Sequence, residues 1–376
     1  MARIACIDHS FHQTTRSTEF LPELLRRYGH TVDLFWDEAW KGGEPVAWNS
    51  VVGHDVVIMF QSHCPVQSQA FSRLHPNVIY IPMLDQFSFW RGPLLNLSAF
   101  WEPFQGSKVL NFSYAIHCMT LAFGIASHHR RYFPPVASLA PAPGDGLHGF
   151  FWLRRPAQLP WSVIRKLISG VRFDSFHIHL AADPGSPPFD GPTAEDIERH
   201  GITMSTWFED RADLEKVMAR ANIYFAPRLE EGIGQSFLES MARGQCVVAP
   251  GHGTMNEYVI SGENGLLYDP ADPAPLDFSN ASQMGANGRR SVMNGRAAWE
   301  RAERRLVEFI LAPSAGCYEG MYQHPALHDL PTAAAPELPS VRLALQALAA
   351  RVGFLRATRF LWRPLLRLAR GARAIR

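Results

Sequence analysis

Glu231 and Glu239 stand eight residues apart across a Gly232-Ile233-Gly234 turn, inside the stretch EEGIGQSFLESMARGQCVVAP (230–250). On one continuous helix that spacing would turn the chain by about 800°, some 80° past two full turns, which pairs two carboxylates poorly. The glycines suggest another geometry. Glu231 sits in a loop, a helix starts near Gln235 or Ser236, and Glu239 lies just past its first turn. A loop carboxylate and a helix carboxylate then flank a helix N-terminus, whose free backbone N–H groups attract anions.

Such a site needs a strand before the turn and a sheet to carry it. The preceding NIYFAP and the following CVVAP read as short buried strands. They belong to a series that starts with GFFWL, then a helix near 160–169. SFHIHL precedes TAEDIERHG, ITMS precedes EDRADLEKVMARA, TMNEYVISGE follows as a helix, and GLLYD closes the set. Two helical stretches follow, around 282–293 and 296–311. An earlier series has the same alternation. RIACID, TVDLFW, HDVVIMF, NVIYIPM and SKVLNFS read as strands. STEFLPELLRRYGH reads as a helix with a Ser17 or Thr18 cap and a Gly29 stop, and YAIHCMTLAFG as another helix. Alternation of this kind implies α/β architecture with parallel, doubly wound sheets. The expected layout is two Rossmann-like domains facing across a cleft. They span 1–133 and 148–311, joined by a Pro/Ala/Gly-rich linker at 134–147. A second Pro/Ala-rich linker at 312–339 leads to a basic tail at 340–376.

Bulk composition fits this layout. A chain of 376 residues, 47% hydrophobic and 19% charged, is globular and long enough for two cores. Its five cysteines are scattered, with no CxxC spacing, which points to a reduced, cytoplasmic setting. Asp8 and His9 interrupt the N-terminus too early for a signal peptide. No apolar run approaches the length that spans a bilayer. From Ser340 onward there are nine Arg, no Lys and no acid, so the preceding 339 residues carry a net −8 against a whole-chain +1. A split of this kind suggests that the tail meets a polyanion or an anionic membrane.

The stretch FAPRLEEGIGQSFLESMARGQCVVAPGHGTMNEYVISGENGLLYDP (225–270) resembles the donor-binding core of retaining glycosyltransferases of family four, which have the GT-B fold. The shared pattern is Pro, a short loop, Glu-Gly-x-Gly, Leu-Glu-x-Met-Ala-x-Gly, an apolar strand, a small-residue loop with Glu, and Asn-Gly-Leu-Leu. The resemblance implies that Glu239 holds the ribose diol of a nucleotide-sugar and that Glu231 holds hydroxyls of its sugar. Paired hydroxyls suit a carboxylate because charge-assisted hydrogen bonds are strong. Gly232, Ile233 and Gly234 bring the backbone close to the ligand. The N–H groups near Gln235, Ser236 and Phe237 meet the diphosphate.

A departing diphosphate calls for cations. FFWLRRPAQLPW supplies Arg154 and Arg155 where the family has Gly-Arg, but the Lys expected a few residues later is absent, its place falling near Leu159 or Pro160. One Arg does both jobs, or Arg228 reaches in. Glu257 matches the family's Glu after the small-residue loop and either touches the donor or caps a helix beginning near Thr254. Trp207 stacks on the base or is an ordinary core or edge tryptophan. On the acceptor side, DHSFHQTTRST replaces the family's glycine-rich loop and places His9, His12, Gln13, Thr15 and Arg16 toward the cleft. Asp85, in YIPMLDQF, falls near the place where family members carry a His by the reacting carbon. No Asp-x-Asp motif lies in a suitable loop, and His177/His179 and His128/His129 do not read as metal ligands. The resemblance implies no metal and no cofactor beyond the nucleotide-sugar co-substrate.

In FLRATRFLWRPLLRLARGARAIR (354–376), Arg356, Arg359, Arg363, Arg367 and Arg370 fall on one helix face, with Phe360, Leu361, Leu365 and Leu368 mostly opposite. Pro364 would kink or restart the helix. A basic amphipathic helix lies flat on anionic lipid; docking on the chain's own acidic body and nucleic-acid binding are the competing readings. With the donor motif, the tail suggests a glycosyltransferase peripheral to the inner face of the plasma membrane. It would extend a saccharide acceptor, lipid-linked, in cell-surface polysaccharide or glycolipid synthesis. A sugar-nucleotide epimerase, a phosphorylase and a non-catalytic scaffold on the same fold are the alternatives. A dehydrogenase is disfavoured, since no Gly-x-Gly-x-x-Gly follows the first strand.

Overall fold

The structure, a computed structural model, describes residues 1–61, 71–89, 98–136, 139, 142–182, 186 and 191–322. The basic tail, with Arg356, Arg359, Arg363, Arg367 and Arg370, lies outside them.

The first half runs β1 (Arg3–His9), α1 (Phe11–Thr15), α2 (Phe20–Arg27), β2 (Thr31–Asp37), β3 (Val56–Phe60), α3 (Phe71–Leu74), β4 (Val78–Ile81), α4 (Leu84–Phe89), α5 (Ser98–Trp101), β5 (Lys108–Asn111), α6 (Tyr114–Ala122) and β6 (Ala126–His129). The second runs β7 (His148–Trp152), α7 (Trp161–Leu167), β8 (Ser175–His179), α8 (Ala194–His200), β9 (Ile202–Ser205), α9 (Arg211–Met218), β10 (Ile223–Phe225), α10 (Gln235–Arg243), β11 (Cys246–Pro250) and β12 (Leu266–Tyr268), and ends with α11 (Ala281–Leu311) and α12 (Ser314–Tyr322). Each half holds a six-stranded sheet, ordered β2-β1-β3-β4-β5-β6 and β12-β11-β10-β7-β8-β9. Every strand pairing among the described residues is parallel. Val56–Phe60 is buried at every position, as a central strand covered on both faces must be. These are the two Rossmann-like sheets that the alternation implies.

Strand order reverses between β1 and β3 in the first sheet and between β7 and β10 in the second. Ligands of doubly wound sheets bind outside the carboxyl ends of the strands at such reversals. Asp8 and Gln61 therefore stand at one switch point, and Arg154 and Arg228 at the other.

Four local expectations are corrected. First, α2 is not capped by Ser17 or Thr18. It starts at Phe20 without a side-chain cap, because the Thr18 hydroxyl donates instead to Asp8 Oδ2 at 2.5 Å. Second, the helix read at 254–263 is only one 3-10 turn, Met255–Glu257. Third, the two stretches at 282–293 and 296–311 are a single helix of 31 residues. Gly295 does not break it, because that position packs on Phe133, where an added Cβ would lie 2.4 Å from the ring. Fourth, α12 occupies the start of the segment read as a linker from 312.

The end of α11 is fastened to the first sheet. Buried Lys108 donates to the carbonyl oxygens of Phe309, Ile310 and Ala312 at 2.5, 2.9 and 2.5 Å, and Asn77 Nδ2 donates to those of Ile310 and Leu311. A cation suits the negative end of a helix, while burial pushes the Lys108 ammonium down to about 8. One continuous core includes Leu21, Leu24 and Phe60, then Tyr132 and Phe133, then Phe237, Met241, Trp299 and Leu306. Within it α11 crosses α10 at a glycine contact: a Cβ on Gly285 would lie 2.0 Å from the Gly244 carbonyl oxygen and 3.2 Å from the Cys246 nitrogen. These are backbone atoms that cannot rotate away. Gly285→Ala is therefore expected to destabilise the fold by about 1–3 kcal/mol through overpacking. Urea denaturation checks it, and an unchanged midpoint would show that the helices separate freely.

Candidate active site

The turn before α10 has the conformation that its glycines permit. Gly234 is the N-cap residue at φ +75°, and a Cβ there would strike Phe237 at 2.1 Å. A Cβ on Gly232 would lie 2.6 Å from Met83 Sδ and 3.0 Å from Asp85 Oδ1. The turn thus presses against residues just beyond β4 of the first sheet. Thr254 Oγ1 secures it by donating to the Glu231 and Gly232 carbonyl oxygens at 2.5 and 3.1 Å. Gln235 Nε2 donates to the Ser17 carbonyl at 2.8 Å, tying the start of α10 to the loop before α2.

Charges converge on this turn. Arg228 Nη1 lies 2.7 Å from Asp85 Oδ2 and 3.8 Å from Glu231 Oε2. Arg228 is 9% exposed and Glu231 8%. Burial pushes the Glu231 carboxyl above its ordinary range; Arg228, Arg154 and Arg155 pull it back, and Asp85 adds to the rise. Arg154 lies over the Trp152 ring, 5.0 Å from its centroid. Beneath the turn the fully buried Tyr224 phenol is pushed up by burial, with neighbouring Ser236 opposing the rise. The structure thus gathers Glu231, Gly232, Asp85, Arg228, Arg154 and Arg155 around the N-terminus of α10.

Helix α10 buries Phe237, Leu238 and Met241 and leaves Gln235, Ser236 and Glu239 only half-buried. Phe237 offers only its backbone, since its side chain is in the core; Ile233 is likewise buried there. Glu239 lines an open groove of about 790 Å³ with Gln235, Arg16, Glu23, Tyr132 and Arg296. Glu257 does not cap a helix at Thr254. Its Oε1 accepts from Ser113 Oγ at 2.9 Å and from the Tyr114 N–H at 2.7 Å, so it caps α6 of the first half instead of a helix at Thr254. Its Oε2 lies 3.6 Å from His129 Nε2.

On the first sheet the hub is Asp8, which sequence reasoning missed as a site residue. It is buried, and its Oδ1 accepts from the His9 N–H at 2.8 Å and bonds His12 Nδ1 at 2.7 Å. With Thr18 on its other oxygen, Asp8 orients the whole β1–α2 connection. That connection is the short helix α1, and Arg16 closes it in the left-handed region at φ +54° while bonding Glu19 at 2.7 Å. His12, Gln13 and Arg16 line a hollow of about 420 Å³ with Cys6, Leu34 and Trp36. Thr15 bonds Ser17 instead. Gln61, at the end of β3, is also left-handed at φ +52° and lies near His9. Backbone strain of this kind concentrates at functional sites. The signal for Asp8 was an acid ending an apolar strand at a sheet reversal; Gln61 and Thr254 carry no comparable mark in the sequence.

Among the described residues, one group has metal-ligand proximity: donor atoms of Asp8, His9 and His12 lie within 4.8 Å of one another. The hydrogen bonds of Asp8 account for that closeness. His177 and His179 are bonded to Thr203 and Ser205 on the neighbouring strand.

Burial pushes the imidazoles of His9, His128 and His179 each down to about 4. Unfolded, they titrate near 6.5. The unfolded chain therefore binds protons first as pH falls from about 6.5 to about 4. Stability present above that window is lost through it. A melting temperature that falls steadily from pH 7 to pH 4.5 is the expected result; a flat profile would mean that these rings protonate without cost.

Residues 164–281 match the family model described as Glycosyl transferases group 1. No curated protein matches the sequence closely enough to count as a relative. Among solved structures, sucrose-phosphate synthase from Thermosynechococcus elongatus superposes with a TM-score of 0.59 at 15% identity, covering 86% of this chain and 99% of its own. HepE of Anabaena in complex with UDP gives 0.57 at 16%, covering 81% and 100%. A glycosyltransferase from Rickettsia africae gives 0.56 at 14%, covering 86% and 99%. At these identities the likeness establishes the GT-B fold. The matched residues include Glu231, Glu239 and the Gly232-Ile233-Gly234 turn.

Proposed function

We propose that this chain, whose residues 164–281 match the group 1 glycosyltransferase model and whose fold is GT-B, works as a retaining, metal-independent glycosyltransferase. It moves a sugar from a nucleotide-sugar to a saccharide acceptor, lipid-linked, in the synthesis of cell-surface polysaccharide or glycolipid. The observation that carries the reading is the convergence of Arg154, Arg155 and Arg228 with buried Glu231 at the N-terminus of α10.

In this reading the donor diphosphate lies against the N–H groups of Gln235, Ser236 and Phe237, where the helix dipole favours anions. Arg154 and Arg155 face it and take the part of the missing family lysine. Preorganised cations stabilise the charge that grows on a departing diphosphate. Glu239 holds the ribose diol and Glu231 the sugar hydroxyls. Arg228 keeps Glu231 and Asp85 in place, and Asp85 and His12 present the acceptor from the first sheet. The acceptor oxygen bonds the anomeric carbon as the carbon–phosphate-oxygen bond breaks. The electron pair goes to the diphosphate, which also takes the acceptor proton on the face where attack occurs. Closure of the two halves keeps water from the donor. The basic tail holds the enzyme to anionic lipid at the cytoplasmic face of the plasma membrane.

Incubation with UDP-, GDP-, ADP-, CDP- and dTDP-sugars in EDTA, with NMR of the product, tests this. One donor should turn over in EDTA, and the new linkage should keep the donor's anomeric configuration. Inversion, or loss of turnover in EDTA, would refute the corresponding part.

A further inference from the structure

The carboxyl ends of β7, β8 and β9 carry an aromatic group that the account above leaves unused. Trp152 pairs in register with His179, and His179 with Ser205, so these strand ends stand side by side; Trp207 follows two residues later. Ring centroids lie 5.4 Å apart for Trp152–His179, 6.1 Å for Trp152–Trp207 and 6.3 Å for His179–Trp207. His179 stacks on Phe208 at 5.1 Å and 4°. Trp207 meets its neighbours nearly at right angles, at 86° and 77°, and stays 58% exposed. Leaving so large an apolar ring in water forgoes burial worth about 25 cal/mol per Å².

Two of the ring's neighbours are fixed and uncharged. Trp152 is held by its indole N–H, which donates to the Ala181 carbonyl at 2.8 Å. His179 Nδ1 bonds Ser205 Oγ at 2.9 Å, and burial keeps the imidazole neutral. The guanidinium of Arg154, one of the cations that act on Glu231, lies over the Trp152 ring. The sequence of groups along the sheet edge is therefore carboxylate, cation, then exposed indole. A nucleoside diphosphate has a matching order: sugar, diphosphate, then a flat aromatic base.

We infer that Trp207, backed by Trp152 and His179, is the shelf on which the donor's nucleobase stacks; this rests on the donor reading proposed above. Every base has a π face, so the shelf adds affinity without choosing among bases. Choice of base then falls to polar groups that meet the ring edge.

Calorimetric titration of the full chain with nucleoside diphosphates and with inorganic pyrophosphate tests the shelf, using the unaltered protein, Trp207→Ala and Trp207→Phe. The ring is exposed, so the substitutions should leave the melting temperature unchanged. Trp207→Ala should weaken the bound nucleoside diphosphate by about tenfold or more, Trp207→Phe should keep most of the affinity, and pyrophosphate should bind all three alike. Equal nucleotide affinity in Trp207→Ala overturns the shelf and leaves the donor site standing. Pyrophosphate binding weakened in parallel also overturns it, because the change then acts on the site as a whole. If no nucleoside diphosphate binds the unaltered protein, the donor reading fails and the shelf with it.

Discussion

Glu231→Ala is expected to cut sugar transfer by about 10²–10³-fold while leaving the melting temperature unchanged or slightly raised. The first half follows from its proposed hold on the donor sugar, since removing one preorganised polar group from an active site costs that order of rate. The second follows from its surroundings. Burial pushes the Glu231 carboxyl up, so the native state bears a cost for holding its charge there. Its departure leaves Arg228 still bonded to Asp85 at 2.7 Å. Loss of turnover with retained stability is the mark of a residue kept for function. A Glu231→Ala protein that unfolds early would make the residue structural instead. Steady-state kinetics beside a thermal melt reads both.

Arg228→Met is expected to lower stability by about 3–5 kcal/mol, the usual result of removing one partner of a buried ion pair. It takes the nearest cation from both Asp85 and Glu231, which belong to different halves of the molecule. In a chain of this size the melting temperature should fall by about 5–10 °C. Asp85→Asn added to Arg228→Met should restore a large part, because the second carboxylate no longer needs its partner. Additive losses in the double variant would show that the two side chains do not communicate. Transfer activity should fall in both variants, since Arg228 also faces Glu231.

The expected strands are present because the signal is strong. Short β-branched runs such as Val56–Phe60 are buried on both faces and read alike in sequence and structure. The start of α10 was legible because Gly234 must take a left-handed φ that few other residues tolerate. Strand β6 was harder. ASHH has little apolar pattern, and it is a strand because it pairs with β5 at the edge of the sheet. The Asn294-Gly295 pair looks like a helix break on propensity alone. Its glycine instead gives Phe133 room to pack against a continuous helix, a tertiary reason that no local window contains. The bonds of Glu257 were hidden in the same way: its partners Ser113 and Tyr114 lie more than 140 residues earlier in the chain. Geometry set by local sequence was readable, and contacts between the two sheets were not.

The most direct measurement is calorimetric titration of the purified chain with UDP, GDP, ADP, CDP and dTDP in EDTA, beside Glu239→Ala. The account predicts that one diphosphate binds and that the substitution weakens it strongly, since two hydroxyl bonds to a carboxylate are lost together. Equal binding by Glu239→Ala would remove Glu239 from the donor site. Binding of none of the five by the unaltered chain would contradict the central claim that the turn before α10 receives a nucleotide-sugar.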